Sequence, residues 1–325
     1  MTFWDNLPKP FFVLAPMEDV TDIVFRHVVA RAARPDVFMT EFTNAASYCS
    51  EKGNFSTKGR LEHDASEQPI VAQIWGTNPD NFATMATGLV SQDFAGIDIN
   101  MGCPAKDVVK IGAGSSLIKQ PDTAIKIIQA TKQAGLPVSV KTRLGFSRVS
   151  EYLTWLPTLL QQNIANLTVH LRTRREMSKV SAHYELIPEI LALRDRISPQ
   201  TKITINGDVQ DHAQAMKLFN EHPGIDGFMI GRGIFKNPYC FDHCDKTPSQ
   251  SELLGLFRYH LDQYDKYRQI IPNERPELVR NFDSLKHFFK IYIKDFPGAA
   301  DLRTELYDCT TTNQIRDTLN NWFAK

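Results

Sequence analysis

The chain has 325 residues, 42% apolar and 23% charged, which is the composition of a globular protein with room for one large domain and an appendage. Lys and Arg together number 37, as do Asp and Glu, so no overall field recruits a polyanion and any nucleic-acid contact must come from a local patch. The five cysteines are too sparse for a disulfide framework and fit a reducing compartment. The opening "MTFWDNLPKPFFVLAP" lacks a basic start followed by a long apolar run, and no apolar stretch is long enough to cross a bilayer. A cytoplasmic protein without a membrane partner is the expectation.

Eight short, β-branched apolar runs recur along the first 235 residues. In chain order they are "FFVLAPM" (11–17), "VFMTEF" (37–42), "IVAQIWG" (70–76), "GIDINMG" (96–102), "VSVKTRLG" (138–145), "NLTVHLRT" (166–173), "KITINGDV" (202–209) and "GFMIGRGI" (227–234). Near-continuous apolar runs predict strands buried on both faces. Helical patterns separate them. "NPDNFATMATGLVSQ" has Asn78 or Asp80 as N-cap and Pro79 near its first turn. "QPDTAIKIIQATKQAG" stops at Gly135, and "DHAQAMKLFNEH" follows the seventh run. The alternation predicts an α/β fold, a (β/α)8 barrel over residues 1–245. A doubly wound open sheet is the alternative, but the first turn, "APMEDVTD", carries no G-x-G-x-x-G fingerprint. From about Pro248 amphipathic helical patterns take over, in "SELLGLFRYHLDQYDKYR", "PELVRNFDSLKHFFKIYIKDF", "AADLRTELYDC" and "TNQIRDTLNNWFA". They predict an all-helical C-terminal domain over residues 246–325.

In such barrels the active site forms where the strands end. The runs here end in Met17 with Glu18, Glu41, Gln73, Asn100 with Cys103, Lys141 with Arg143, His170 with Arg172 and Arg174, Asn206 with Asp208, and Arg232. One polar strand end means little; nearly all of them together predict a site. "INGDV" and "IGRGI" place glycine just past an apolar run, either as ordinary tight turns or as a phosphate cradle to which Arg232 adds a guanidinium. Lys141 either faces outward into solvent or points inward, where it needs an anionic or electron-rich partner. Gln73 either bonds a planar heterocycle or satisfies a neighbouring backbone group. The Cys103 thiol, at the tip of the fourth run and just before a proline, is a buried structural group, a metal ligand or a reactive group. "CFDHC" (240–244) is half a metal site with no second pair nearby, so no metal is expected.

Together these segments resemble the dihydrouridine synthases, flavoenzymes that reduce uridines of tRNA. "APMEDVTD" resembles the family's opening turn, and "DINMGCPAKDVVKIGAGSSL" its catalytic loop. "VSVKTRLG", "LTVHLRTR", "ITINGDV" and "GFMIGRGIFKNP" follow in family order, from about residue 12 to 241, and the helical tail fits the family's tRNA-binding domain. This chain has Leu171 where many members have glycine, and Glu18 and Asp19 in the first turn. The resemblance implies FMN as cofactor and NADPH, or NADH, as reductant. It implies that Pro16, Met17 and Glu18 line the flavin, that Gln73 and Lys141 contact its ring, and that His170 bonds it. Asn206, Gly207, Asp208, Gly231 and Arg232 would hold its phosphate end. Cys103 would protonate C5 of a uracil that takes hydride at C6, with Asn100, Arg143 and Arg172 on the substrate. The base must leave its stack to reach a barrel mouth. "RTRREMSK" (172–179) and the tail would supply phosphate contacts to tRNA, in a monomer. The alternative is an FMN barrel oxidoreductase acting on a small molecule, like a dihydroorotate dehydrogenase, and a further one is a non-catalytic RNA-binding barrel.

Overall fold

The computed structural model describes residues 1–269 and 281–324. Nine parallel strands run in the order β1-β9-β8-β7-β6-β5-β4-β2, with β3 also on β4. They are β1 (Phe11–Leu14), β2 (Phe38–Met39), β3 (Thr43–Asn44), β4 (Ile70–Trp75), β5 (Gly96–Met101), β6 (Val138–Arg143), β7 (Asn166–His170), β8 (Lys202–Asn206) and β9 (Gly227–Ile230). A bridge between Val13 and Val37 joins β1 to the chain entering β2 and closes the ring. Helices alternate with strands, so the fold is the expected (β/α)8 barrel.

The second run, expected as one strand, is two short pieces on the same neighbour. Phe38 pairs with Ile70 and Thr43 with Ile74. Thr40 is the cause. Its backbone N–H still bonds Val71 O at 3.0 Å, but the next ladder donor, Gln73 N, goes to the Thr40 hydroxyl at 3.0 Å. A side-chain oxygen thus takes the place of a backbone carbonyl and interrupts the strand.

Successive strand residues face opposite sides. Phe12 and Leu14 join the large core between sheet and helices. Phe11, Val13, Val37, Met39, Val71 and Met229 form a second cluster inside the ring with Trp4. The interior between β4 and β8 is instead polar, holding buried Gln73, Asp98, Ser139, Asn166, Thr168 and Thr204. Side-chain caps open two of the barrel helices. Asn78 Oδ1 accepts from Asp80 N at the start of Pro79–Leu89, and Asp211 Oδ1 from Gln214 N at the start of His212–Glu221.

The tail comprises helices Gln250–Tyr264, Phe289–Tyr292, Ala299–Tyr307 and Thr312–Phe323. Gln250–Tyr264 packs on the barrel helix Ile23–Ala32. Of the helix expected over 276–296, residues 276–280 lie outside the described residues. The rest opens as a tight 3-10 turn, Phe282–Phe288, before Phe289–Tyr292. Phe288 is pinned against Phe25 of the barrel, ring centroids 4.5 Å apart, so packing overrides helical periodicity there. No helix among the described residues is long and apolar enough to cross a membrane.

Candidate active site

The strand ends converge on a cleft lined by Ala15, Pro16, Met17, Lys141, His170, Asn206, Gly207, Asp208, Val209, Gln210, Gly231, Arg232 and Gly233. Register explains the convergence. Arg143 lies opposite His170, His170 opposite Asn206, and Asn206 opposite Met229 on adjoining strands. Nine of the eleven residues expected at the cofactor are therefore on one wall: Pro16, Met17, Lys141, His170, Asn206, Gly207, Asp208, Gly231 and Arg232.

Lys141 Nζ donates to Asn206 Oδ1 at 3.2 Å, and Asn206 Nδ2 donates to Met229 O at 2.9 Å. Burial, with Arg143 nearby, draws the Lys141 ammonium down to about 8. Burial and the surrounding cations hold His170 well below its ordinary value, so it is neutral. Arg172 Nη1 lies 3.3 Å from His170 Nε2. A guanidinium only donates, so Nε2 accepts and the ring proton sits on Nδ1.

The turn after β8 runs through Gly207 at φ +112° and Asp208 at φ +58°. A Cβ on Gly207 would lie 3.2 Å from His170 Cδ2 and 3.3 Å from Ala182 Cβ, so this turn needs glycine for both its backbone and its close approach. Asp208 accepts from Arg172, from Ala182 N at 3.0 Å and from Arg232 Nη2 at 3.3 Å, and these donors hold its carboxyl below the usual range despite partial burial. The one acid on the cleft wall is thus neutralised, while Lys141 and the exposed Arg232 remain. Gln210 Oε1, also on the wall, is buried with no hydrogen-bond partner among the described residues. Two cations and an orphaned acceptor suit an anionic, hydroxyl-bearing ligand, so the donor set fits FMN.

The Cys103 loop leaves β5 beside this cleft. Arg143 Nε donates to Gly102 O at 2.8 Å, and Ser115 donates from N and Oγ to Cys103 O at 3.0 and 2.9 Å. Asn100 Oδ1 accepts from Cys103 N at 2.9 Å. Burial pushes the thiol above its ordinary value, opposed by the Ala105 backbone, Lys141 and Arg143, and Glu18 adds to the rise. The thiol therefore carries its proton at neutral pH.

Other residues sit differently from a bare strand-end reading. Gln73 lies beneath the cleft, fully buried, its amide shared between Asp98 and Asn100. Glu18 pairs with Arg60. Arg143 Nη1 also reaches Thr173 O and Met177 O, each at 3.2 Å. In the basic segment 172–179, Arg172 is buried on Asp208, while Arg175 and Lys179 are exposed. Sequence reading passed over Asp98, Ser139 and Tyr184, whose hydroxyl donates to Gly207 O at 2.7 Å. The signal for Asp98 was there: a carboxylate in the middle of an apolar run.

A parallel barrel whose strand ends form an anion-accepting cleft, with a thiol-bearing loop beside it, defines a barrel with its binding site at the strand ends. Solved structures of morphinone reductase share this fold. One superposes with a TM-score of 0.53 at 12% identity, covering 73% of this chain and 86% of that one. A family model described as dihydrouridine synthase matches residues 13–325. A probable tRNA-dihydrouridine synthase of Staphylococcus epidermidis is 53% identical over 99% of this chain and 97% of its own. A probable tRNA-dihydrouridine synthase 2 of Bacillus subtilis is 53% identical over the same shares. The chain belongs to the dihydrouridine synthase family.

Proposed function

We propose that this protein reduces selected uridines of tRNA to 5,6-dihydrouridine, with FMN in the cleft, NADPH or NADH as reductant and Cys103 as general acid. One observation carries the reading: the protonated Cys103 thiol stands on the strand end next to Lys141, whose ammonium reaches into the Asn206–Arg232 cleft. The cofactor, when bound, supplies hydride for C6 of the uracil. Asn206, Gly207, Asp208, Gly231 and Arg232 hold its phosphate end, and the neutral His170 and Lys141 bond along its length. Lys141 would supply positive charge beside the ring of a bound flavin. Cys103 Sγ hands its proton to C5, a step typically worth ~10²–10⁴-fold. Asn100, Arg143 and Arg172 set the loop and the wall against which the base enters. Residues 1–245 form the catalytic barrel, and residues 246–325 orient the tRNA in a cytoplasmic monomer.

Purified protein given NADPH and unmodified tRNA should form dihydrouridine. Cys103→Ala should keep bound flavin and lose most of that product. Wild-type turnover in Cys103→Ala would remove the acid role. Failure on a full tRNA pool, with orotate or dihydroorotate turned over instead, would replace tRNA by a small substrate.

A further inference from the structure

A single line of hydrogen bonds links the barrel interior to the thiol loop. Gly102 N and Cys103 N donate to Asn100 Oδ1 at 3.1 and 2.9 Å. Asn100 Nδ2 donates to Gln73 Oε1 at 3.0 Å, and Gln73 Nε2 to Asp98 Oδ2 at 2.7 Å. Ser139 Oγ closes the line from the other side, donating to Asp98 Oδ1 at 2.6 Å. Register sets Gln73, Asp98 and Ser139 side by side on three neighbouring strands. All four side chains are buried, Gln73 and Asp98 completely. Every donor in the line points toward Asp98.

We propose that Asp98 is a positioning residue for the reduction: acting through Gln73 and Asn100, it fixes the Gly102–Cys103 backbone and so the place of the thiol. The inference rests on the reading of Cys103 as the acid. An amide has a donor end and an acceptor end of nearly equal shape, so packing cannot choose between its two orientations. Two amides in series need a terminus that settles the choice. An ionised carboxylate accepts and never donates, so it takes the Gln73 amide nitrogen and leaves the Gln73 oxygen for Asn100. Asn100 then has only its oxygen left for the loop. A buried polar line of this kind holds its shape only when every member is satisfied. Asp98 also lies near Lys141, so a purely electrostatic role is the competing account.

The test uses full-length, flavin-loaded protein and reads kcat and KM for tRNA, flavin occupancy, and hydrogen exchange of the Gly102 and Cys103 amides. Asp98→Asn keeps an acceptor for Gln73 but no longer fixes which end of each amide faces its neighbour, so rate and loop exchange should fall between those of the wild type and of Asp98→Leu. Asp98→Leu removes the acceptor. Loop exchange should quicken and kcat should fall, each by roughly tenfold or more, the size expected for a buried donor left unpaired. KM and bound flavin should hold. Asn100→Asp puts the acceptor-only group in the wrong place and sets Gln73 oxygen against a carboxylate at one side. The double variant Asp98→Asn/Asn100→Asp lets Gln73 turn over and should restore slow exchange lost in Asn100→Asp. This pair decides the matter even if Asp98→Leu fails to fold. Wild-type exchange in Asp98→Leu, or a double variant no better than Asn100→Asp, overturns the proposal. An Asp98→Asn variant as slow as Asp98→Leu also overturns it, in favour of the charge on Lys141. Should Cys103→Ala turn over normally, the acid reading falls while loop exchange still reports on Asp98.

Discussion

Asp98 costs the fold something to keep. Burial pushes its carboxyl up to about 6, against the bonds from Ser139 and Gln73 and the charge of Lys141. The folded state therefore holds this proton more tightly than the unfolded chain does. The sign follows: stability falls as pH rises between the unfolded value near 3.8 and the folded value near 6, and stays lower above. At 1.36 kcal/mol per pH unit the loss is ~2–3 kcal/mol. Asp98→Asn should thus be more stable than the wild type near pH 7.5 by up to about that amount, and the gap should close near pH 4. Urea melts at the two pH values measure it. Equal stability at both would mean that Lys141 fully compensates the buried charge. A fold that retains so costly a group two amides away from the thiol loop fits a device kept for activity at the expense of stability.

At the scale of strands and turns, the sequence is legible where physics is local. Apolar β-branched runs gave seven of the eight barrel positions as single strands, and the cap expected at Asn78 or Asp80 is Asn78. The cleft wall was legible because polar residues at the ends of consecutive parallel strands must meet around one rim. What local pattern does not encode is which way a polar group turns. Thr40 breaks its strand through a hydroxyl that Gln73 N prefers to the ladder. Arg172 turns inward to Asp208, leaving less of segment 172–179 exposed than its composition suggests. The relay from Asp98 needs three strands in register, which no single run displays. The β8 turn yields a sharp prediction. Gly207 holds φ +112° with His170 and Ala182 crowding the place of a Cβ. Gly207→Ala should cost ~1–3 kcal/mol of stability and displace His170, with flavin occupancy falling in parallel. Full occupancy at wild-type stability would show that the turn relaxes freely.

At the scale of the whole molecule, the question is what keeps the helical tail in one orientation on the barrel. Apolar contact supplies much of it, through Phe25 against Phe288 and the packing of Gln250–Tyr264 on Ile23–Ala32. Apolar surfaces slide, however, and a directional lock is needed to fix a register. Arg268, 1% exposed at its side chain, provides one: Nη2 donates to Asp22 Oδ2 at 2.9 Å and Nη1 to Glu62 Oε2 at 3.0 Å. Tyr267 OH donates to Asp64 Oδ2 at 3.0 Å beside it. Asp22 is also the N-cap of Ile23–Ala32, its Oδ1 accepting from Phe25 N at 3.0 Å. The tail thus grips a carboxylate that the barrel already holds rigid. Arg268→Met keeps the bulk of the stem and removes the guanidinium from two largely buried acids. Breaking a buried pair from one side costs ~3–5 kcal/mol, and the buried geometry makes the loss insensitive to salt. If the tail orients tRNA, the KM for tRNA should rise well below the melting temperature, while NADPH should still reduce the bound flavin at the wild-type rate without tRNA. A rise in KM with an unchanged reductive step assigns Arg268 to tRNA placement. Equal losses in both steps would mean that the tail stabilises the barrel and has no separate part in presenting the substrate.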